Sequence, residues 1–540
     1  MMCDFIRYHF SLVLYGFLLM GVFSTFSLSQ DGTLDTLFGI GGKVTTQIGP
    51  GYDAAYSVAI QSDGKIVVAG ESYISGSPSN LNNDIALVRY NVNGSLDDSF
   101  GAGGIVTTPI GAGLDLSQGV LIQSDGRIIA TGQGWDGAAY RFAALRYNVN
   151  GSLDNSFGTG GIATTRLGVQ GYGLSGILQA DGKILVVGSS DNGSNLDFGV
   201  VRFNTNGTLD NSFGSGGKVT TAVGASSDFG RAGACQADGK IVVAGYYINN
   251  QSNRDFALVR YLTNGSLDNS FGSGGKVTTP VGPSDDRVRS MALQNDEKIV
   301  VVGASFVGFN NNFAIVRYNS DGSLDNNFGV DGKVRIAVGN DVSTGEDGAF
   351  SVAIQADGKI LAAGWALNPV SGYDFAVVRL MENGSLDSTF ANGGIALTPI
   401  GTNDFGQAIA LQADGKIVVA GASYDQTGDY AIAVVRYNNS APTGITSALE
   451  LPEQLMLSQN YPNPFNPSTE IRFTVAKTYR TTLEVYNLMG QKVMTLFDEV
   501  AQAGHEYHVR FTGSHLASGV YIYRLKSGPR SASRKLILLQ

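Results

Sequence analysis

One segment, Gly-Ser/Thr-Leu-Asp-x-x-Phe-Gly, recurs seven times along the chain of 540 residues. Its leucines are Leu34, Leu96, Leu153, Leu209, Leu267, Leu324 and Leu386, at intervals of 62, 57, 56, 58, 57 and 62 residues. Each copy holds four short runs rich in β-branched residues, which in one copy are 218–221, 232–236, 240–244 and 256–261. Runs of this length bounded by Gly, Asn and Asp predict four β-strands per copy. Such a unit has to bury its apolar faces against neighbouring copies of itself.

Seven copies of four antiparallel strands predict an all-β fold, a seven-bladed β-propeller whose blades surround a central channel. An open solenoid of the same units is the alternative. The phase of the repeat favours closure, because the first run of the chain, 43–46, can complete the blade that ends with the run 434–437. Six copies carry Asp-Gly between their second and third runs, which predicts a two-residue hairpin turn there.

The repeated unit resembles a known family. Its motifs Ser-Leu-Asp-x-x-Phe-Gly, Gln-x-Asp-Gly-Lys-Ile and Phe-Ala-Leu-Val-Arg-Tyr are similar to the delta-60 repeat of bacterial secreted propeller-like proteins, over roughly residues 31–438. The fifth copy departs at 295–298, which reads Asn-Asp-Glu-Lys, and the last has Phe390-Ala391 in place of Phe-Gly. The resemblance implies the propeller fold but no defined activity.

Charge and residue content exclude several classes of function. Residues 30–440 carry 25 Lys and Arg against 38 Asp and Glu, an acidic balance that argues against nucleic acid or an anionic membrane as partner. All four histidines of the chain lie outside 30–440, so the repeats cannot form a Ser-His-Asp or Cys-His catalytic site. The two cysteines, Cys3 and Cys235, provide no disulfide framework once the first is removed with a leader.

Residues 1–29 are predicted to be a secretory signal peptide. Arg7 precedes an apolar run at 11–26, and Ser27 and Ser29 supply the small residues that a signal peptidase reads. A membrane anchor is the alternative, but the run is shorter than the ~20 residues that span a bilayer. We therefore predict an exported chain without a stable transmembrane segment.

Length variation among the copies is confined to two connections, the one after Lys-Ile-Val-Val-Ala-Gly and the one after Lys-Val-Thr-Thr. In an up-and-down blade these two connections emerge on the same face. Variable loops on a rigid scaffold commonly carry binding surfaces. Their aromatic residues either bind sugar rings or a protein partner, or pack the loops onto the blades. These aromatics include the candidate binding residues Trp135 and Trp365, together with Tyr52, Tyr73, Tyr246, Tyr247, Phe306, Phe309, Tyr373 and Tyr424.

A carboxylate recurs eight residues before the strand-end Gln of six copies. The six are Asp53, Asp115, Asp228, Asp286, Asp347 and Asp404, with Gly171 in the third copy. At the mouth of a channel such a ring could bind Ca²⁺, and no other cofactor or metal is predicted. The alternative is that each carboxylate caps loop amides, a need that every blade shares. Single-copy acids in the variable loops, Asp285, Glu346 and Asp425, are candidates for a glycosidase pair.

The repeat ends at residue 440, and the composition changes. A proline-containing linker is predicted at 441–455. Six strand-like runs follow within 456–540, at 470–475, 482–486, 492–496, 506–511, 520–525 and 533–539. Short alternating strands of this kind predict a small Ig-like β-sandwich.

The C-terminal region closely resembles the type A C-terminal sorting domain of type IX secretion. The residues that carry the resemblance are Tyr461, Pro462, Asn463, Pro464, Phe465, Asn466 and Pro467, then Gly490, Gly504, Gly519, Tyr521 and Lys535. The resemblance implies recognition by the outer-membrane type IX translocon and removal of the domain. It further implies that the propeller is released from a Gram-negative bacterium or attached to its outer-membrane surface.

These observations favour a secreted or cell-surface propeller that binds an extracellular polysaccharide or protein. The alternative is an extracellular enzyme that acts on glycans through loop carboxylates. A purely structural component of the cell surface is a third interpretation.

Overall fold

The structure is a computed structural model that describes residues 30–77, 80–308, 310–339, 347–424, 428–440, 456–460, 462–475, 479–487, 489–501, 506–528 and 530–539. The predicted signal peptide and the predicted linker lie outside these residues. Within the described part of the chain every regular element is a β-strand, as the sequence predicts. The runs of Val, Ile and Ala form the strands that are buried on both faces.

Twenty-eight strands make up the repeated region in its described residues. They are β1 (Lys43–Thr46), β2 (Asp53–Ile60), β3 (Ile66–Ser77), β4 (Asn80–Tyr90), β5 (Ile105–Thr108), β6 (Leu116–Ile122), β7 (Ile128–Trp135), β8 (Tyr140–Tyr147), β9 (Ile162–Thr165), β10 (Gly171–Leu178), β11 (Ile184–Asp191), β12 (Leu196–Phe203), β13 (Lys218–Thr221), β14 (Asp228–Cys235), β15 (Ile241–Ile248), β16 (Arg254–Tyr261), β17 (Lys276–Thr279), β18 (Asp286–Leu293), β19 (Ile299–Val307), β20 (Asn310–Tyr318), β21 (Lys333–Ile336), β22 (Gly348–Ile354), β23 (Ile360–Asn368), β24 (Gly372–Leu380), β25 (Ile395–Thr398), β26 (Asn403–Leu411), β27 (Ile417–Tyr424) and β28 (Tyr430–Tyr437).

The strands form seven antiparallel four-stranded sheets within the described residues. Blade 1 is β2-β3-β4-β5, and blades 2 to 6 follow in the same order along the chain. Blade 7 is β26-β27-β28 completed by β1, with Lys43 opposite Val435 and Thr46 opposite Ile432. The inner strand of blade 1 packs on that of blade 2 and also on that of blade 7, so the ring is closed. The predicted seven-bladed propeller, and its closure by the N-terminal strand, are confirmed.

The hairpin between the first two strands of each blade differs from the prediction. In blade 4, Gln236 N–H donates to Lys240 O at 2.9 Å, and Gly239 N–H donates to Gln236 O at 2.9 Å. Three residues therefore form the loop, a type I turn followed by Gly239 with a φ of 83°. The two-residue turn was wrong because Asp-Gly also suits this longer loop. In the fifth copy Glu297 takes the same left-handed conformation, with a φ of 65°.

Each blade carries one buried ionic cluster, on the face that holds the Asp-Gly hairpins and the Leu-Asp connections. We call this the constant face. In blade 1, Arg89 donates to Asp97 at 2.7 Å and its guanidinium lies 4.5 Å from the ring centroid of Phe100. Arg89 also donates to Val149 O of blade 2 at 2.6 Å, so the cluster joins neighbouring blades. The equivalent Arg and Asp pairs are Arg146 and Asp154, Arg202 and Asp210, Arg260 and Asp268, Arg317 and Asp325, Arg379 and Asp387, and Arg436 and Asp35.

The hydrophobic core lies between the blades. One cluster joins Val242 and Leu258 of blade 4 to Val288 and Ile299 of blade 5, and comparable clusters fill the other interfaces. These residues have no exposed surface. Since every blade buries both faces, the repeat positions are fixed by packing, and the blades form a rigid frame around the channel.

The C-terminal region folds into two antiparallel sheets around its own core. Its described strands are β29 (Met456–Leu457), β30 (Ser468–Thr474), β31 (Tyr479–Tyr486), β32 (Lys492–Ala501), β33 (Glu506–Thr512), β34 (Gly519–Ser527) and β35 (Arg530–Leu538). The sheets are β29-β30-β33 and β32-β31-β34-β35. Ile471 and Phe473 of the first sheet pack with Leu483, Val485 and Tyr523 of the second. This is a β-sandwich with one short strand more than the sequence predicts, and its likeness to an immunoglobulin domain stays a prediction.

Candidate functional site

The central channel is lined by one irregular position in each inner strand. In β2 the register shifts between Ala55 and Ser57, which leaves Tyr56 as a bulge residue without a partner on β3. The same shift occurs at the equivalent place in β6, β10, β14, β18, β22 and β26. The seven bulge residues, in blade order, are Tyr56, Gln118, Leu174, Arg231, Arg289, Phe350 and Gln407. All seven line one cavity of about 430 Å³.

A ring of small residues follows the bulge ring. The residue after each bulge is Ser57, Gly119, Ser175, Ala232, Ser290, Ser351 or Ala408, and all seven line the same cavity. Because these side chains are small, the bulge residues determine the width of the channel. The hydroxyl of Ser57 also accepts the amide of Val120 at 3.0 Å, which ties blade 1 to blade 2. The backbone of the channel wall is thus repeated, while the chemistry of its bulge ring changes from blade to blade.

Two adjacent blades contribute arginines to this ring. Arg231 donates to the hydroxyl of Tyr246 at 3.0 Å, and its guanidinium lies 5.4 Å from the centroid of that ring. The guanidinium of Arg289 lies 4.7 Å from the centroid of Phe350. Burial, followed by the like charges of Arg231 and Arg287, lowers the pKa of Arg289 to about 10. This wall of the channel is therefore positively charged.

The opposite wall, at blade 1, holds a buried carboxyl group. The hydroxyl of Tyr56 donates to one oxygen of Glu71 at 2.5 Å, and the side-chain amide of Asn83 donates to the other at 2.5 Å. Glu71 is 4% exposed, and burial raises its pKa and that of Tyr56. The carboxyl group is enclosed behind Tyr56, so the channel surface here is the tyrosine ring and hydroxyl. Blade 1 faces blades 4 and 5 across a ring of seven.

A chain of aromatic rings leads from the channel across blades 6, 7 and 1. We call it the aromatic belt, and its members are Phe350, Trp365, Tyr373, Phe405, Tyr424, Tyr430 and Tyr52. The centroids of rings in contact lie 4.7 to 6.2 Å apart, and Tyr430 is in contact with Phe405, Tyr424 and Tyr52. Phe350 and Tyr52 line the cavity, and Tyr52 is 39% exposed. The belt lies on the face of the variable loops, which we call the variable face, so it connects that face to the channel.

The second candidate tryptophan belongs to a separate group of rings. Trp135 lies 5.0 Å from Tyr140, which lies 5.5 Å from Tyr172 of the next blade. Tyr246 stacks on Phe229 at 4.7 Å and is 5% exposed. These rings pack loops onto blades, as one of the two interpretations of the aromatics expects, while Tyr52 and the partly exposed Trp365 also face solvent or the channel. Phe309 lies outside the described residues.

The six repeated aspartates each accept hydrogen bonds from loop amides. Asp115 accepts the amides of Ile110 at 2.6 Å, Gly111 at 2.9 Å and Trp135 at 2.8 Å. The equivalent bonds occur at Asp53, Asp228, Asp286, Asp347 and Asp404, all of them buried. Burial raises the pKa of Asp115 despite these donors. This geometry agrees with the interpretation in which each carboxylate caps loop amides.

Two further observations bear on the aspartates as candidate ligands. None of the six lines the channel cavity, and the described residues hold no group of three or more His, Cys, Asp or Glu side chains placed to bind a metal. In blade 3, a Cβ at Gly171 would lie 2.7 Å from Cδ2 of Phe142, so the ring of Phe142 leaves no room for the aspartate.

Of the three loop carboxylates that were candidates for catalysis, Asp285 lies in the described residues. Asp285 pairs with Arg254, whose amide it also accepts at 3.0 Å, and with Arg287 at 3.2 Å. Burial alone would raise the pKa of Asp285, but these donors lower it, so the group is held as a carboxylate. Glu346 and Asp425 lie outside the described residues.

The sorting-motif residues occupy two places in the C-terminal sandwich. Phe465 is 2% exposed, and its backbone bonds to Ile537 and Leu539 at 2.9 and 3.0 Å. Asn463 accepts the amide of Ile537, and Lys535 pairs with Ile522. Pro462, Pro464, Asn466 and Pro467 surround Phe465 in sequence, Gly519 begins β34, Tyr521 is 8% exposed, and Gly490 lies in the turn before β32. Tyr461 and Gly504 lie outside the described residues.

The bulge ring was not predicted from the sequence, although the sequence contains a signal for it. The third residue after the repeated aspartate, or after Gly171 in the third copy, is Tyr, Gln, Leu, Arg, Arg, Phe and Gln in the seven copies. Positions on either side of it repeat small or apolar residues. A single position with variable chemistry, inside a strand of constant length, indicates that the fold does not determine the side chain there. At this position the side chains line the channel.

Two family models match the chain. The first, described as a domain of unknown function (DUF5122) beta-propeller, matches 61–100, 123–157, 179–213, 236–271, 294–328, 355–390 and 412–440. The second, described as a secretion system C-terminal sorting domain, matches 459–539. No curated protein matches the chain. Among the described residues no helix is long and apolar enough to cross a membrane.

Several solved structures resemble the chain at low identity. A protein of unknown function from Dyadobacter fermentans is 14% identical, with a TM-score of 0.40, over 74% of this chain and 98% of that one. A PL25 ulvan lyase bound to -[GlcA(1-4)Rha3S]- is 13% identical, with a TM-score of 0.42, over 74% and 96%. A glucose dehydrogenase is 12% identical, with a TM-score of 0.36, over 59% and 95%. Likenesses at this level carry no argument about ligand or activity.

Proposed function

Since the chain belongs to the DUF5122 β-propeller family and ends in a secretion system C-terminal sorting domain, we propose that it is an exported module that binds an extracellular polysaccharide. The sorting domain indicates export to the cell surface or the extracellular space, through interaction with the secretion machinery. The geometry of the variable face supports a binding function for the exported propeller.

One observation carries the proposal: the aromatic belt runs from the variable loops into a concave channel. Aromatic faces stack on the apolar faces of sugar rings, and their edges are held here by ring-to-ring contacts at about 5 Å. The cavity of about 430 Å³ is within the ~300–1,000 Å³ of ordinary ligand sites. A narrow channel with polar and aromatic walls suits an oligosaccharide better than the surface of a folded protein.

The test is a glycan array probed with residues 30–540, followed by calorimetry on the glycans that bind. We expect Tyr52→Ala and Tyr424→Ala to weaken binding roughly 5-fold each, since each loses a stacking contact of about 1 kcal/mol. Tyr479→Ala is the matched control, because Tyr479 is a similarly exposed tyrosine, at 41%, in the C-terminal sandwich. Its affinity should equal that of the unmodified chain.

Three results would overturn parts of this proposal. An array without any glycan signal, together with saturable binding to a protein partner, would replace polysaccharide with protein as the ligand. Cleaved or chemically altered glycan after incubation would make the propeller an enzyme. Equal loss of affinity in Tyr479→Ala would remove the variable face as the binding surface.

Export gives a second, independent test. A chain that ends at residue 455 lacks the sorting domain, and we expect it to accumulate in the periplasm with its propeller folded. Delivery of this truncated chain to the cell surface at the normal level would contradict the role of the sorting domain.

A further inference from the structure

Two kinds of arginine lie in the propeller. The seven constant-face arginines each pair with a buried aspartate at 2.7 to 2.9 Å. Arg231 and Arg289, in the bulge ring, form no ion pair with any carboxylate of the described residues, and the Nε atom of each is buried without an acceptor there. Arg231 contacts the hydroxyl and ring of Tyr246, and Arg289 contacts the ring of Phe350.

This arrangement places two positive charges side by side, and protein atoms do not pair all of their buried donors. A buried donor without an acceptor is destabilising, and more so when it is charged. The two guanidinium groups also repel each other, because they stand on the inner strands of adjacent blades. Both side chains are half-buried at the cavity, and the packing of the blades does not compensate their charge.

The fold does not require arginine at the bulge. The equivalent residue is Tyr56 in blade 1, Leu174 in blade 3, Phe350 in blade 6, and Gln118 and Gln407 in blades 2 and 7. Five blades therefore form the same bulge with five uncharged residues. The bulge in blades 4 and 5 therefore does not require the positive charge of Arg231 and Arg289.

Guanidinium groups are suited to oxyanions. Each presents a planar set of donors that matches the oxygens of a carboxylate, sulfate or phosphate, and paired arginines provide two such sets. Around them, Gln118 and Gln407 can both donate and accept hydrogen bonds, and Phe350 and Tyr56 present ring surface. This combination fits a sugar unit that carries an anionic group.

We propose that Arg231 and Arg289 form an oxyanion site in the central channel, which binds the carboxylate or sulfate group of an acidic polysaccharide. The inference rests on the proposed function in taking the ligand to be a glycan. That the ligand is anionic is inferred from the two arginines alone. Carboxylate and sulfate share the chemistry of the site, so the experiment separates them with one probe of each kind.

The experiment uses the chain of residues 30–540 and four probes in calorimetry: inorganic sulfate, a tetragalacturonate, a sulfated galactan tetrasaccharide and the neutral maltotetraose. The variants are Arg231→Gln, Arg289→Gln and the double substitution. Glutamine is the residue that blades 2 and 7 already carry at this position, so the variants should fold normally. The control is Arg287→Gln, on the same strand as Arg289, because Arg287 is exposed and paired with Asp285 at 3.2 Å.

We expect at least one acidic tetrasaccharide to bind, with affinity that falls as salt rises. Each single substitution should weaken this binding roughly 10-fold or more, and the double substitution roughly 100-fold or more, since a charged hydrogen bond contributes about 1.5–3 kcal/mol. Sulfate alone should compete with the acidic glycan. Arg287→Gln should bind like the unmodified chain, and all variants should unfold at the same temperature or higher.

The outcomes separate this inference from the proposed function. Equal binding of acidic and neutral tetrasaccharides, unchanged in the double variant, overturns the oxyanion site and leaves a glycan-binding propeller. Sulfate binding that the double variant abolishes, without binding of any glycan, keeps the site and overturns the polysaccharide as ligand. Absence of binding by both sulfate and the acidic glycans overturns the site.

Discussion

The constant face and the channel wall use the seven-fold repeat in opposite ways. On the constant face the side chains repeat: arginine, aspartate and phenylalanine form the same buried cluster in every blade. In the channel only the backbone repeats, as a bulge at one position of each inner strand, and the side chain there differs in most blades. A side chain that repeats in every blade is thus required by the fold. At the bulge the fold requires only the backbone conformation, so the side chain can serve another function.

The two arginines of blade 4 show this difference within a single sheet. Arg260, on β16, donates to Asp268 at 2.9 Å and to Ser320 O of the next blade, and it is 5% exposed. Arg231, on β14, has the hydroxyl of Tyr246 as its hydrogen-bond partner in the described residues. The first arginine holds blades together, and the second is placed for a ligand.

The largest expected effect concerns the closing strand, which completes the seventh constant-face cluster. A chain that begins at Gln47 lacks β1 and Asp35, so the edge of β28 and the buried Arg436 lose their partners. We expect it to lose the cooperative thermal transition of the complete propeller, measured by calorimetry.

The matched control for this deletion moves the strand without removing it. Inserting residues 31–46 directly after Asn439 gives an interval of seven residues from Arg436 to Leu34, as in the other copies. The hydrogen bonds from Gly32 to Asn438 and from Asn438 to Thr33 already hold these ends together, at 2.8 and 2.7 Å. This rearranged chain should unfold cooperatively, and failure to do so would mean that closure depends on more than the strand.

The second effect tests the two arginines of blade 4 directly. Arg260→Met leaves Asp268 buried without its main partner, and we expect a loss of about 3–5 kcal/mol in the free energy of unfolding. Arg231→Met removes an unpaired charge and one hydrogen bond, and we expect a change within about 1 kcal/mol of zero. Urea unfolding of both variants measures the contrast. Equal destabilisation would make Arg231 a structural residue, and the constant face and the channel wall would then not differ in the role of their arginines.

The sequence predicted the parts of this molecule that repeat. The blade number and the closure by the run 43–46 both follow from the spacing of the repeats, because each copy has to bury the same apolar faces. The bulge ring was missed because a bulge breaks the two-residue alternation from which strand faces are read. In the sequence, Arg231 and Arg289 therefore look like ordinary differences between copies. The register shifts in β14 and β18 show that both residues line one cavity.

The third effect concerns the buried aspartates of the variable face. Asp228→Ala removes the acceptor of the amides of Val223 and Gly224, which lie at 2.6 and 3.1 Å, and we expect a loss of about 2 kcal/mol in the free energy of unfolding. Asp238→Ala, in the exposed hairpin of the same blade, is the control and should change stability by less than about 0.5 kcal/mol. Added Ca²⁺ should not alter the melting temperature of the unmodified chain. A rise that Asp228→Ala abolishes would restore calcium as the ligand of the ring.

The smallest effect is a difference in the sign of the pH dependence between the two faces. Burial would raise the pKa of Asp210, but Ser212, Lys183 and Arg202 lower it below its ordinary value of 3.8. Its contribution to stability is therefore complete above about pH 4 and is lost as the pH falls further. Burial raises the pKa of Asp115 above 3.8, so its contribution is greatest at low pH and declines as the pH rises through the raised value.

Urea unfolding from pH 3 to pH 6 can separate these signs with Asp210→Asn and Asp115→Asn. The stability of the unmodified chain relative to Asp210→Asn should increase with pH, and its stability relative to Asp115→Asn should decrease. A fixed change caused by either asparagine shifts the whole curve and leaves its slope unaltered, so the slope reports the carboxylate alone. Slopes of the same sign would show that both faces hold their aspartates in the same way, as charged partners, and the caps of the variable face would then belong with the ionic clusters of the constant face.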